Sequence, residues 1–143
     1  MKVKQISVFL ENKKGRLYEA LQVLGEANIN IRALSIADTA EYGILRLIVS
    51  EPDRAKKVLQ KVNFVVQEND VIAICVSDKP GGLSHVLNVL QQAEINVEYV
   101  YAFVQKKGEK AVVVLRTEKL DPAIKALEKA GVPVLKEKEV YGI

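Results

Sequence analysis

The sequence predicts an α+β protein built from two copies of one βαββαβ unit. Two observations carry this. First, the chain repeats itself: Ile6, Lys13, Gly15, Leu17, Leu21, Val23, Leu24, Ala27, Ile29 and Asn30 fall on Ile72, Lys79, Gly81, Leu83, Leu87, Val89, Leu90, Ala93, Ile95 and Asn96, without a gap. A repeat fixes the architecture before any single element is considered. Second, the hydrophobic period switches between two and about 3.6 in the same order in both copies, as alternating strands and helices require.

The elements follow in order. Ile6, Val8 and Leu10 alternate with other residues, the pattern of a half-buried strand. Gly15 opens a helix with Leu17, Leu21 and Leu24 on one face. Asn28-Ile29-Asn30 ends that helix, and a second strand runs from Ile31 to Ala37. Thr39-Ala40-Glu41-Tyr42-Gly43 is read as a turn, and Ile44 to Val49 as the third strand. Pro52 and Asp53 start a second helix that turns Ala55, Val58, Leu59 and Val62 inward. Phe64 to Val66 is the expected fourth strand. In the second copy Asp121-Pro122 reads as an N-cap followed by proline at the first helical position, and Gly131 as the stop. Past the first helix the register moves by two residues, so that Ala55 and Leu59 meet Ala123 and Leu127. The insertion sits in Gln105-Lys106-Lys107-Gly108-Glu109, a hairpin tip where extra residues cost little.

The boundary between copies is placed near Asn69, giving units 1–69 and 70–143. Two right-handed crossovers put both helices of a unit on one face of its sheet, the ferredoxin-like arrangement. The second strand is then an edge. An unpaired apolar edge is a liability, so the units are expected side by side through their second strands. Ile31–Ala37 would pair with Val97–Val104 in an eight-stranded antiparallel sheet with four helices on one face.

Bulk properties exclude several classes. The 143 residues are 49% hydrophobic and 27% charged, which suits a packed core and not disorder. The net charge of +3 comes from 21 basic and 18 acidic residues, too balanced for a polyanion-binding surface. No apolar run is long enough to span a bilayer. Met1 to Gln5 lead directly into the first strand with no signal-peptide core, so the expectation is a cytoplasmic protein without a membrane partner. Cys75 is the sole cysteine, which excludes a disulfide framework and a cysteine-ligated metal or cluster. His85 has no nucleophile or acid at motif spacing, and it is expected to face solvent. No metal, cofactor or catalytic site is expected, and the chain is read as not an enzyme.

One motif recurs with chemical content. Asp78-Lys79-Pro80-Gly81-Gly82-Leu83 joins a strand to a helix, and Asn12-Lys13-Lys14-Gly15-Arg16-Leu17 is its counterpart. Glycine lets the backbone approach a ligand, and the helix start presents free N–H groups to a carboxylate. Asn30 and Asn96 follow the helices at matching positions, with amides that both donate and accept. Each feature also has an ordinary reading, as a turn, a cap or a helix stop.

The pattern of Asp78, Pro80, Gly81 and Leu83, then an apolar helix, then Ile95-Asn96-Val97, resembles the ACT domain family. In the first copy Asn12, Gly15, Leu17, Ile29, Asn30 and Ile31 fit, while Lys14 stands where the family has proline. The resemblance spans both copies. It implies a non-catalytic regulatory or sensor protein that binds an amino acid where two units meet, and a regulated metabolic enzyme as partner. Carried over, the ligand-binding residues are Asn12, Gly15, Arg16, Leu17, Asn30, Asp78, Pro80, Gly81, Gly82, Leu83 and Asn96. The first loop would combine with Asn96 and the second with Asn30.

Two rivals stand beside this reading: a scaffold or oligomerisation module without a ligand, and an RNA-binding βαββαβ protein. The second is raised by Tyr99, Tyr101 and Phe103, which alternate along one strand toward the face without helices. RNA-recognition motifs carry their aromatics on central strands, and Ala111-Val112-Val113-Val114-Leu115 has none, so no nucleic-acid partner is expected. The stripe is instead expected to be exposed and to build a homodimer, facing the small residues Ala33, Ser35 and Ala37 of a second copy.

Overall fold

The structure is a computed structural model that describes residues 1–38 and 41–143. The expected turn at Thr39-Ala40 lies outside the described residues. The elements are β1 (Val3–Glu11), α1 (Arg16–Glu26), β2 (Ile31–Asp38), β3 (Tyr42–Val49), α2 (Pro52–Lys61), β4 (Val65–Ser77), α3 (Gly82–Gln92), β5 (Val97–Ala102), β6 (Lys110–Thr117), α4 (Leu120–Lys129) and α5 (Glu137–Tyr141). The chain is therefore α+β, with six strands and five helices among the described residues. It forms two compact units. One is Lys4–Asn69; the other is Asp70–Ile143 with Met1–Val3.

In the first unit β3 is central, antiparallel to β1 through Ile6↔Leu47 and Val8↔Leu45, and to β2 through Leu34↔Leu47 and Ile36↔Leu45. The strand alternation turns Ile6, Val8, Leu45, Leu47 and Val49 to one face. There they form a core with Ala20 and Leu24 of α1, Ala55 and Leu59 of α2, and Phe64. The second unit repeats this. β6 is central between β4 and β5, and Ile72, Ile74, Val113 and Leu115 meet Val86 and Leu90 of α3, Ala123 and Leu127 of α4, and Val132.

Four expectations are corrected. The eight strands are six. The fourth strand of the first copy and the first strand of the second fuse into the 13-residue β4, and the last strand of the second copy shrinks to one bridge, Ile74↔Val134. Gln67-Glu68-Asn69-Asp70 reads as a polar break between strands, yet the backbone stays extended through it. The four helices are five, because α5 forms beyond the repeat, its first turn closed by the Lys136 N–H donating to Glu139 Oε2 at 2.8 Å. The joining through second strands is not formed: β2 and β5 each have one ladder neighbour, β3 and β6. Asp121 is not the N-cap of α4. The helix starts two residues earlier than read, at Leu120 with Lys119 as the N-cap, and Pro122 still lies among the first-turn residues whose N–H groups lack helical partners. Gly131, at φ +79°, does end α4 as read.

The aromatic stripe is also corrected. Tyr101 lies opposite Val114 and Tyr99 opposite Arg116, on the face away from α3 and α4, as the register predicts. That face is already covered within the chain, for Val112 and Val114 are 1% and 0% exposed and Phe103 is 9% exposed. Tyr99 and Tyr101 are half-buried, stacked at 6.4 Å. Phe103 is thus withdrawn from the stripe, and only the half-buried tyrosines reach solvent.

Helix exits give one prediction. Asn28 and Glu94 hold equivalent positions and nearly the same left-handed φ, 59° and 58°. Asparagine visits this region readily, whereas glutamate has no local compensation. Glu94→Asn is expected to stabilise by about 1 kcal/mol, a rise of about 2–4 °C in Tm for a chain of this size. Thermal unfolding checks it; a lower Tm would show that the Glu94 side chain makes a contact worth more than the strain.

Candidate functional site

Both predicted loops take the same shape. Gly15 (φ 89°) and Gly81 (φ 84°) are left-handed residues at the N-caps of α1 and α3, and neither helix start has a side-chain cap. The chain reverses so tightly there that Arg16 N–H donates to Lys13 O and Gly82 N–H to Lys79 O. No side chain caps either helix start, so the first-turn N–H groups beyond that one are available to an anion. Gly82 has a stricter role: a Cβ there would lie 2.0 Å from the Ser77 carbonyl oxygen.

Asn12 and Asp78 occupy equivalent places beside these starts. Asn12 lines a hollow of about 170 Å³ with Leu10, Lys13, Leu17, Ile36 and Gly43. Asp78 lines one of about 280 Å³ with Ser77, Lys79, Glu109 and Lys110. Within each unit the structure thus brings together Asn12, Lys13 and Leu17, and separately Asp78 and Lys79. Asn30 and Asn96 do not join the glycine loop of their own unit. Each stands at the far end of an 11-residue helix, roughly 16 Å away at 1.5 Å per residue. Both are exposed, and the Asn30 backbone is held by Ser50, whose Oγ accepts from Asn30 N–H at 3.1 Å.

The electrostatics of the two loops differ. Lys13 pairs with Glu11 at 2.8 Å, which holds the Glu11 carboxyl below its ordinary range and raises the Lys13 ammonium. In the second unit Asp78 is paired with Lys106, a residue of the hairpin insertion. The carboxylate read as an ammonium holder therefore already holds one.

A further hollow was not foreseen. It measures about 430 Å³ and is lined on one side by Lys79, Pro80, Gly81, Gly82, His85 and Val86, on the other by Cys75–Ser77, Lys110 and residues 130–133. Pro80, Gly81 and Gly82 were read as site residues; Lys79, Lys110 and Val132 were not. A signal existed. Gly82 and Val132 are the repeat counterparts of Arg16 and Phe64, and both substitutions remove volume. Leu83, also read as a site residue, packs instead against the core of its unit. His85 is exposed at the helix face, as expected. Cys75 is buried, and burial pushes its thiol up, away from the reactive thiolate. Among the described residues no group of three or more His, Cys, Asp or Glu could hold a metal, and no helix is long and apolar enough to cross a membrane.

Comparison with known proteins agrees with this geometry. A protein of Bacteroides thetaiotaomicron of known crystal structure is similar over 100% of this chain and 98% of its own, at 41% identity and a TM-score of 0.93. The ligand-free regulatory subunit of aspartate kinase from Thermus thermophilus shares the fold over 89% of this chain and 91% of its own, at 14% identity and a TM-score of 0.64. The corresponding subunit from Thermus flavus does so over 90% and 92%, at 14% identity and 0.59. No curated protein matches. The family model for the ACT domain pair matches residues 1–142, and the chain belongs to that regulatory family.

Proposed function

We propose that this ACT domain pair is a non-catalytic regulatory protein whose glycine loops bind an amino acid. The observation that carries the reading is the repeated, uncapped helix start behind a left-handed glycine, with Asn12 or Asp78 beside it. An α-amino acid needs an anion site and a cation site a few ångströms apart. The α3 start offers the first and Asp78 the second. A carboxylate at a helix start gains about 0.3–1 kcal/mol, up to ~2 when partly buried, so side-chain contacts must supply most of the affinity. Leu17 and Ile36 at the first loop are the apolar part of that contact surface.

Asn30 and Asn96 enter this reading through the edges. They stand at the starts of β2 and β5, each with one open side. A second copy laid along such an edge would bring an asparagine to a glycine loop, which gives a homodimer a motive independent of the aromatic stripe. The partner class remains a regulated metabolic enzyme; the Thermus thermophilus neighbour is itself the regulatory subunit of one. The burial of Phe103 and half-burial of the tyrosines argue against a stacking platform for RNA bases.

Thermal-shift screening of the twenty amino acids tests the proposal. Ligand at ~100 Kd adds about 2.7 kcal/mol, a rise of roughly 5–10 °C. Asp78→Ala is expected to weaken the response. Lys106→Ala is expected to strengthen it a few-fold, since an exposed ion pair of up to ~1 kcal/mol no longer competes. A protein indifferent to all twenty is a scaffold, and the amino-acid reading fails.

A further inference from the structure

The two units treat one location in opposite ways. In the first, the Arg16 guanidinium lies over the Phe64 ring, 4.4 Å from its centroid, and bonds Glu19 Oε2 at 2.6 Å. Arg16 Nε is buried there without a hydrogen-bond partner. The space between the α1 start, the end of β1 and the turn after α2 is filled by the chain's own cation. In the second unit glycine (Gly82) replaces Arg16, valine (Val132) replaces Phe64, and the 430 Å³ cavity stands in that place. Its volume lies within the range of small-molecule sites.

The charge changes with the volume. The repeat sets Ser77 against Glu11, His85 against Glu19 and Lys110 against Tyr42. Both carboxylates of the first unit's version are gone, and a lysine has been added. Lys13 spends its charge on Glu11, but its counterpart Lys79 has only Ser77 in that place. The neighbouring lysines of the hairpin are otherwise engaged, Lys106 with Asp78 and Lys107 with Glu139. No Asp or Glu is among the residues lining the cavity. A cation finds no carboxylate in that lining. An anion meets Lys79, Lys110 and the uncapped α3 start, and an apolar body meets Val76, Val86 and Val132.

We infer that this cavity, which adjoins the Asp78 hollow and shares the α3 start with it, binds a small organic carboxylate that carries no ammonium group, of the 2-oxo acid or simple aliphatic acid type. The site goes beyond the amino-acid reading. It shares Ser77, Lys79 and Lys110 with the hollow that Asp78 lines and differs in having no acid in its own lining, which disfavours an α-amino acid.

Calorimetry with 2-oxobutyrate, 4-methyl-2-oxopentanoate and phenylpyruvate, against leucine and inorganic phosphate, tests it. At least one oxo acid is expected to bind the wild-type chain. Val132→Phe, which restores the first unit's side chain, is expected to weaken that binding at least tenfold. The double change Lys79→Gln with Lys110→Gln, on two exposed side chains, is expected to weaken it by a similar factor and covers the case of a poorly folded Val132→Phe. Silence from all three oxo acids, equal binding by both variants, phosphate binding as tightly as the acids, or leucine competing for the site would each overturn the proposal. A response to oxo acids with none to amino acids would sink the amino-acid reading and leave this one standing; the reverse pattern would do the opposite.

Discussion

Phe64→Ala is expected to destabilise the protein by about 3–5 kcal/mol, the usual cost of removing a buried phenylalanine. The ring is 5% exposed, belongs to the first unit's core, and carries the Arg16 guanidinium on its face. Its loss opens a cavity and also removes the ring beneath the Arg16 guanidinium, which is left with its Glu19 bond and a buried Nε without a partner. Urea unfolding read by circular dichroism measures the effect. Phe64→Leu separates the two parts, since it keeps most of the volume and loses only the cation–π contact, worth about 0.5–2 kcal/mol. A Phe64→Ala cost below 1 kcal/mol would show that Arg16 closes over the gap by itself. The filling of the first unit's site by its own arginine would then count for little in stability.

Leu127→Ala is expected to cost about 2–5 kcal/mol. Leu127 is fully buried on α4, where it meets the β4–β6 core of the second unit together with Leu90 and Leu115. A loss of that size lowers Tm by roughly 5–15 °C. The repeat makes a second comparison available, because Leu59 on α2 is its counterpart and is also fully buried. The two alanine variants should fall within the same range. The second unit's core lies beside a cavity the first one lacks, so Leu127→Ala has more room to relax and is expected to be the milder. A Leu127→Ala variant as stable as wild type would mean that the α4–sheet contact contributes no net stability.

Much of this fold is legible in the residues because the signals are local. The period-two run Ile6, Val8, Leu10 can only be a strand with one buried face, and Leu17, Leu21 and Leu24 follow helical spacing. Glycine at 15 and 81 marks the left-handed entry to each helix, and glycine at 131 marks an exit. The duplication then assigns the same order of elements to both halves. Position 64 shows where this reading stops. The repeat sets Phe64 against Val132, and that difference in size acquires a meaning only once Arg16 is seen to lie over the ring.

The sequence by itself determined the α+β class, the alternation of strands and helices apart from the fused β4, the missing last strand and α5, and the glycine-loop helix starts, since each depends on neighbours within a few residues. Tertiary structure decided what depends on distant ones. It fused two expected strands into β4, because a ladder partner and not a sequence break sets a strand's length. It left β2 and β5 with one neighbour each and covered the aromatic face within the chain, because edge pairing and burial are settled by all surfaces competing at once. It placed Lys106 on Asp78 and opened the cavity behind Gly82. Both bring together side chains 28 residues or more apart, and no periodicity along the chain records which distant groups will meet.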